Sequence, residues 1–174
     1  MKKKKLGIVL LAVCVIFLSG CANAMKDGKE QLQNKEYSEA AQSFSEAIKD
    51  GKNVGEAYHG QGIAYWELQE YEKCKDSLEK ALENGVTGTP NLYQTLGDSC
   101  MKLSLYEEAL SYYWKGMASD GLTEKQLQEM LYNEVMAYEG LRDWDGAKVK
   151  MEAYVAKYPD DADAKKEAEF LKTR

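Results

Sequence analysis

Between Ala57 and Asn84 the chain reads AYHGQGIAYWELQEYEKCKDSLEKALEN, and this stretch decides the fold. Its first half sets Tyr58, Gly62 and Tyr65 on one stripe, at steps of four and three residues. Its second half carries Tyr71, Cys74, Leu78, Ala81 and Leu82, mostly at three- and four-residue steps. That spacing is the buried face of an amphipathic helix. The stretch therefore reads as two helices joined by a tight turn. The pattern recurs upstream, where Gly28, Tyr37 and Ala47 precede Gly62, Tyr71 and Ala81 by 34 residues each. It recurs downstream at Gly97, Tyr106 and Gly116 after 35 more residues, and more loosely at Val135, Trp144 and Tyr154 after another 38. A near-fixed period of this length is the mark of a helical solenoid.

Gly28, Gly62 and Gly97 fall inside first helices, where glycine costs about 1 kcal/mol relative to alanine. Such a cost repeated at one register predicts a close backbone approach between the two helices of each hairpin. Ala47, Ala81 and Gly116 are small residues at a second shared register, as if facing the next hairpin.

This pattern resembles the tetratricopeptide repeat, whose signature is Gly and Tyr on the first helix, then Ala, an aromatic and Ala on the second. The best matches are YSEAAQSFSEAI (37–48) and YEEALSYYWKGM (106–117). Cys74 departs from the family's Ala, Leu78 and Met151 from its aromatic, and Gln31 and Cys100 from its second first-helix aromatic. Val135 stands where Gly is usual, while Pro159 falls where the family places proline. The resemblance implies an all-α fold: a right-handed superhelical solenoid of antiparallel helix hairpins. It implies about four repeats, at roughly 21–53, 55–86, 90–120 and 123–159, closed by a capping helix over 160–174. The family's concave face is lined by first helices. Carried onto this chain, that register points to Leu32, His59, Ile63, Trp66, Gln94, Asp98, Met101, Tyr132 and Met136 as a groove for a protein or peptide partner. Exposed aromatic and Met side chains suit such a groove. The alternative is that Trp66 and Met101 help neighbouring first helices to pack. Lys29, Gln94 and Asp98 do not reproduce the clamp of carboxylate-binding members, so the resemblance does not imply capture of a chaperone C-terminus.

Residues 1–20 read as a targeting segment. Lys2 to Lys5 form a basic start, and the mostly apolar run from Leu6 to Leu18 is 13 residues long, well short of the roughly 20 that span a bilayer. It fits the apolar region of a secretory signal. The run ends in Leu18-Ser19-Gly20-Cys21, which resembles a lipobox, and this implies cleavage before Cys21 and acylation of its thiol. An ordinary secreted protein cut near Ala22 or Ala24 is the alternative; Leu, Ser, Gly and Cys at the expected offsets favour the lipoprotein. Hardly any polar spacer separates Cys21 from the first repeat helix.

Loss of the four lysines leaves 19 basic residues against 29 acids, a net charge of −10 over 154 residues. An acidic body is repelled by an anionic bilayer surface, so attachment would rest on the lipid. The same sign argues against nucleic acid, which needs a basic stripe. The length suits one domain.

Punctuation agrees with the helices. Gly51 and Gly85 read as left-handed caps, Thr89-Pro90 as an N-cap with proline behind it, Asp120-Gly121 as a closing turn, and TEKQ (123–126) as a capping box. After Pro159, residues 160–174 read as a final helix with acids early and Lys172 and Arg174 late. Its apolar set is Ala162, Ala164, Ala168, Phe170 and Leu171.

No catalytic constellation emerges. Cys74 and Cys100 replace core residues and read as buried thiols, with a disulfide as the alternative outside the cytoplasm. His59 is the sole histidine, and no Cys/His cluster has metal-ligand spacing. Asp160, Asp161 and Asp163 read as helix capping rather than a cation site. Glu107-Glu108 and Lys165-Lys166-Glu167 read as solvated faces. The sequence therefore predicts a non-enzymatic, lipid-anchored scaffold without cofactor or metal, outside the cytoplasm on a bacterial cell membrane or outer membrane. Its expected partner is another envelope protein or peptide. A self-associating module with a filled groove is the first alternative, and an accessory lipoprotein that captures small ligands or glycan is the second.

Overall fold

A computed structural model describes residues 24–174; the targeting segment and Cys21 lie outside the described residues. The described chain is helical, with no strand: α1 (Ala24–Gln33), α2 (Tyr37–Asp50), α3 (Val54–Glu67), α4 (Tyr71–Glu83), α5 (Pro90–Lys102), α6 (Tyr106–Met117), α7 (Glu124–Gly140), α8 (Trp144–Lys157) and α9 (Ala162–Leu171). It divides into two compact units, one running through Val86 and the other from Thr87 to Arg174. Within each unit every helix packs on the next in sequence, α1 to α4 in the first and α5 to α9 in the second.

One turn is used inside every hairpin. Lys35, Gln69, Ser104 and Arg142 all adopt the left-handed conformation, with φ of 58–63°. In each case the next residue donates its backbone N–H to a carbonyl five positions back: Glu36 to Gln31, Glu70 to Tyr65, Leu105 to Cys100 and Asp143 to Tyr138. This satisfies a carbonyl at the end of the first helix and reverses the chain. Between hairpins the left-handed positions are the glycines Gly51, Gly85 and Gly121, joined by Asn53 just before α3. Thr89 accepts from Leu92 N–H at 3.2 Å, and Thr123 with Gln126 forms the full capping box.

The repeated glycines do mark a close approach, but what approaches is a side chain rather than backbone. A Cβ on Gly28 would meet the Phe44 ring at 2.9 Å, one on Gly62 the Leu78 side chain at 2.5 Å, and one on Gly97 the Tyr113 ring at 2.4 Å. Each pair is sixteen residues apart, linking the first helix of a hairpin to its second. In the fourth hairpin Val135 and Met151 keep that separation within one buried cluster. There the bulkier Val has removed the slot, and a flexible thioether replaces the ring. Phe44 is held from both sides, since Gly60 on α3 also faces its ring, 2.4 Å from where a Cβ would stand.

Buried polar groups tie neighbouring hairpins together. Gln61 Nε2 donates to Ser45 Oγ at 2.7 Å and toward the Ala41 carbonyl at 3.4 Å, while its Oε1 accepts from Ser77 at 3.1 Å. Three helices meet at this one amide. In the second unit the buried Glu134 carboxylate accepts from Trp114 Nε1 at 2.7 Å and pairs with Lys150 at 2.7 Å.

The final helix is shorter than expected. Asp161 is its N-cap, accepting from Asp163 and Ala164 N–H at 3.1 and 3.0 Å. Ala164 and Leu171 are buried with Val135, Met151 and Tyr154. Two expectations fail here. Phe170 is 41% exposed, lying beneath the Arg174 guanidinium at 4.6 Å, because Leu171 occupies the inward register beside it. Glu167 is half-buried rather than solvated and stands beside Glu139.

Candidate binding cleft

In the second unit an open cleft of about 670 Å³ lies between α5 and α7, with α8 and the start of α9 closing one end. Helix α5 contributes Gln94 and Asp98, one turn apart. Helix α7 contributes Lys125, Gln128, Glu129, Tyr132 and Asn133, whose three- and four-residue spacing puts them on one face. Tyr154 enters from α8, and Asp161 and Asp163 from the cap of α9.

The polar groups hold one another in place. Asp98 Oδ1 accepts from Tyr113 OH at 2.7 Å and from Asn133 Nδ2 at 2.9 Å. Gln94 Nε2 donates to Glu129 Oε2 at 2.8 Å. Tyr154 OH donates to Asp161 at 2.8 Å and accepts from Gln128 at 3.1 Å. The Tyr132 ring sits edge-on against Tyr154, with centroids 5.5 Å apart. Burial pushes the Asp98 carboxyl up from its ordinary value, opposed by the two hydrogen bonds it accepts. Burial likewise pushes the Tyr154 hydroxyl up to about 12. Asp161 moves the other way, lowered chiefly by the Ala164 N–H and next by the Tyr154 hydroxyl.

Of the nine sequence-derived groove residues, Gln94, Asp98 and Tyr132 converge on this cleft. Met101 packs against the cluster of Cys100, Ala109, Tyr113 and Met130, and Met136 is half-buried on α7. In the first unit Leu32 packs against the core around Phe44, and Trp66 meets Tyr71 edge-on at 5.4 Å. Ile63 and His59 are half-buried; burial lowers the His59 pKa, with Glu56 opposing, which keeps the imidazole neutral at pH 7. Lys125, Gln128, Glu129, Asn133, Tyr154, Asp161 and Asp163 were not anticipated as cleft residues. The α7 members lie within two turns of Tyr132 on its own stripe, so helical spacing was the signal available for them. Tyr154 belongs to a second helix, and the two aspartates were legible in sequence as caps alone.

The fold and the cleft define a class, a helical-hairpin repeat protein with a polar, aromatic-walled recess. Residues 55–84 match the tetratricopeptide repeat family. Over 87 residues the chain is 31% identical to the TPR repeat-containing protein YsoA of Bacillus subtilis (strain 168). That alignment takes in 50% of this chain and 26% of YsoA, so the chain spans about a quarter of that relative's length. Among solved structures, YrrB, described as a TPR protein with an unusual peptide-binding site, superposes with a TM-score of 0.71 at 23% identity, covering 85% of this chain and 74% of its own. MamA from Desulfovibrio magneticus RS-1 gives 0.72 at 19% identity, covering 89% and 85%. Residues 55–84 thus match a tetratricopeptide repeat, and the described helices share the fold of solved TPR structures.

Proposed function

We propose that this protein is a membrane-anchored bacterial lipoprotein acting as a non-catalytic scaffold, which holds another envelope protein or a peptide segment against its first-helix face. The observation that carries the reading is the convergence of Gln94, Asp98 and Tyr132, from two successive first helices, on one open cleft. Concave recognition surfaces are the general use of stacked helix hairpins, and the similarity to YrrB, with its peptide-binding site, favours a peptide-like occupant. Helix α9 borders the cleft through Asp161 and Asp163 without filling it, which favours an external occupant over the chain's own C-terminal helix. The sequence LSGC at 18–21 supports the anchor, with attachment at Cys21 and an address outside the cytoplasm, on the cell membrane or the outer membrane.

The test is a crosslinked capture from membranes, comparing wild type with Trp66→Ala/Tyr132→Ala and with Cys21→Ser. Captured chains are identified by mass spectrometry, and the fold of each variant is checked by circular dichroism. The expected result is one envelope protein captured by wild type and lost from the folded double variant, with the Cys21→Ser protein moving to the soluble fraction. Undiminished capture by the folded double variant would overturn the groove, and wild-type protein wholly in the soluble fraction would overturn the anchor.

A further inference from the structure

The charges of the cleft are one-sided. Asp98, Glu129, Asp161 and Asp163 line it, and Lys125 is the single cation in its wall. Lys125 reaches Glu129 at 3.7 Å from a side chain 85% exposed, a screened contact of small value. Asp163 pairs with Lys166 at 2.8 Å, with both side chains more than three-quarters exposed. Asp98 is held by two neutral donors, Tyr113 and Asn133, and Asp161 by backbone N–H groups and Tyr154. These bonds come from uncharged donors, so they fix the two carboxylates in position without neutralising them, and Lys102 is the least of the influences on Asp98.

The aromatic wall adds a second requirement. Tyr132 stands on the same α7 face as Glu129 and Asn133 and is backed by Tyr154. A tyrosine face beside fixed carboxylates suits a guanidinium or ammonium, which stacks on the ring and forms charge-assisted hydrogen bonds to the acids. The volume, about 670 Å³, falls within the roughly 300–1,000 Å³ of ordinary ligand recesses. The cleft opens to solvent rather than forming an enclosed cavity, as a docked peptide segment requires.

We infer that the cleft takes a basic peptide segment, seating an arginine or lysine side chain against Tyr132 among the carboxylates of α5, α7 and the α9 cap. This rests on the proposed scaffold function and specifies its partner: the docking segment carries positive charge. The sign is opposite to that of a carboxylate clamp, in which the groove supplies the cations. With the whole acidic protein adding its field, association should be fast at low ionic strength and slow as salt screens it.

The probe is a positional octapeptide library passed over the immobilised full chain, with retained peptides sequenced by mass spectrometry. Wild type should enrich Arg and Lys over Asp and Glu by about tenfold, equivalent to ~1.4 kcal/mol. Glu129→Gln/Asp163→Asn, which alters two solvent-reached carboxylates and leaves the Asp98 hydrogen bonds intact, should abolish that enrichment. Wild type that retains acidic or neutral peptides equally overturns the inference, as does enrichment that persists undiminished in the variant. The capture experiment above separates the two readings. A partner lost with Tyr132 but showing no basic preference in the library removes this inference and leaves the scaffold. Absence of both partner and peptide removes both.

Discussion

At the scale of single residues, the Phe44 ring shows how this repeat builds its core. The ring is fully buried and stands between Gly28 on one side and Gly60 on the other. Pinned from both faces, it has no room to move aside. Gly60→Ala should therefore destabilise the protein by about 1–3 kcal/mol through overlap, outweighing the roughly 1 kcal/mol that alanine gains in a helix interior. In a Phe44→Leu background the same change should become neutral or stabilising, because the smaller side chain vacates the contact. Urea unfolding of the four chains measures this coupling, and additive effects would contradict it. Much of this was legible beforehand: Gly28, Gly62 and Gly97 announced a slot by their register. Gly60 did not, since it has no counterpart in the other copies. Nor did Lys35, Gln69, Ser104 and Arg142, whose left-handed turns occupy one register yet share no side-chain type. Their conformation follows from how the hairpin closes, and no local propensity announces it.

At the scale of elements, α9 docks through a contact that proton concentration should tune. Glu139 Oε1 on α7 is buried without a hydrogen-bond partner, and the Glu167 carboxyl of α9 stands beside it. Burial first, and then the neighbouring Glu167, raise the Glu139 pKa above its ordinary value. A carboxyl with a higher pKa in the folded chain holds its proton better there than in the unfolded one. Its stabilising contribution is complete below the unfolded pKa and is lost as pH rises through the folded one. Glu139→Gln should accordingly raise Tm at about pH 8, and that advantage should shrink as pH falls toward the ordinary carboxyl range near 4.3. An equal gain at both pH values, read by calorimetry, would refute the pairing. The sequence indicated α9 through Pro159, the early acids and the spacing of Ala164 and Leu171. It could not place Glu167, because a run of Lys165, Lys166 and Glu167 looks solvated until the neighbouring helix supplies a second acid. Phe170 was misplaced for a similar reason: with Leu171 adjacent, apolarity alone does not tell which of the two turns inward.

At the scale of the molecule, among the described residues each unit contains one wholly buried cysteine, Cys74 in the first and Cys100 in the second. Alkylation under native conditions should leave both untouched, whereas in denaturant without reductant both should react in full, as peptide mapping would record. Protection that survives denaturant and yields only to reductant would instead establish the disulfide alternative. Partial denaturation then reads the opening of each unit separately, since each carries its own reporter. Repeat number, helix order and the all-α class could be read from the period alone, because each hairpin repeats the same burial problem. The cleft could not, beyond its three first-helix members. Its acids come from three helices far apart in sequence, and the aspartates of the α9 cap serve a local role that masks their position in space.

The hairpins look alike but are not interchangeable. Gln61 immediately precedes Gly62, and the residue at that place in the other copies is Asp27, Leu96 or Glu134. Gln61 offers its amide nitrogen to the preceding hairpin and its oxygen to its own second helix. Glu134 accepts from Trp114 and Lys150, Leu96 is a buried hydrocarbon, and Asp27 is exposed. An amide has a donor end and an acceptor end, so the joint at Gln61 is keyed as well as directional. Shuffled or duplicated copies would set an acceptor against an acceptor, or a carboxylate against leucine. Within each unit the order of the hairpins is thus written into the seam between them, and they behave as numbered members rather than identical beads.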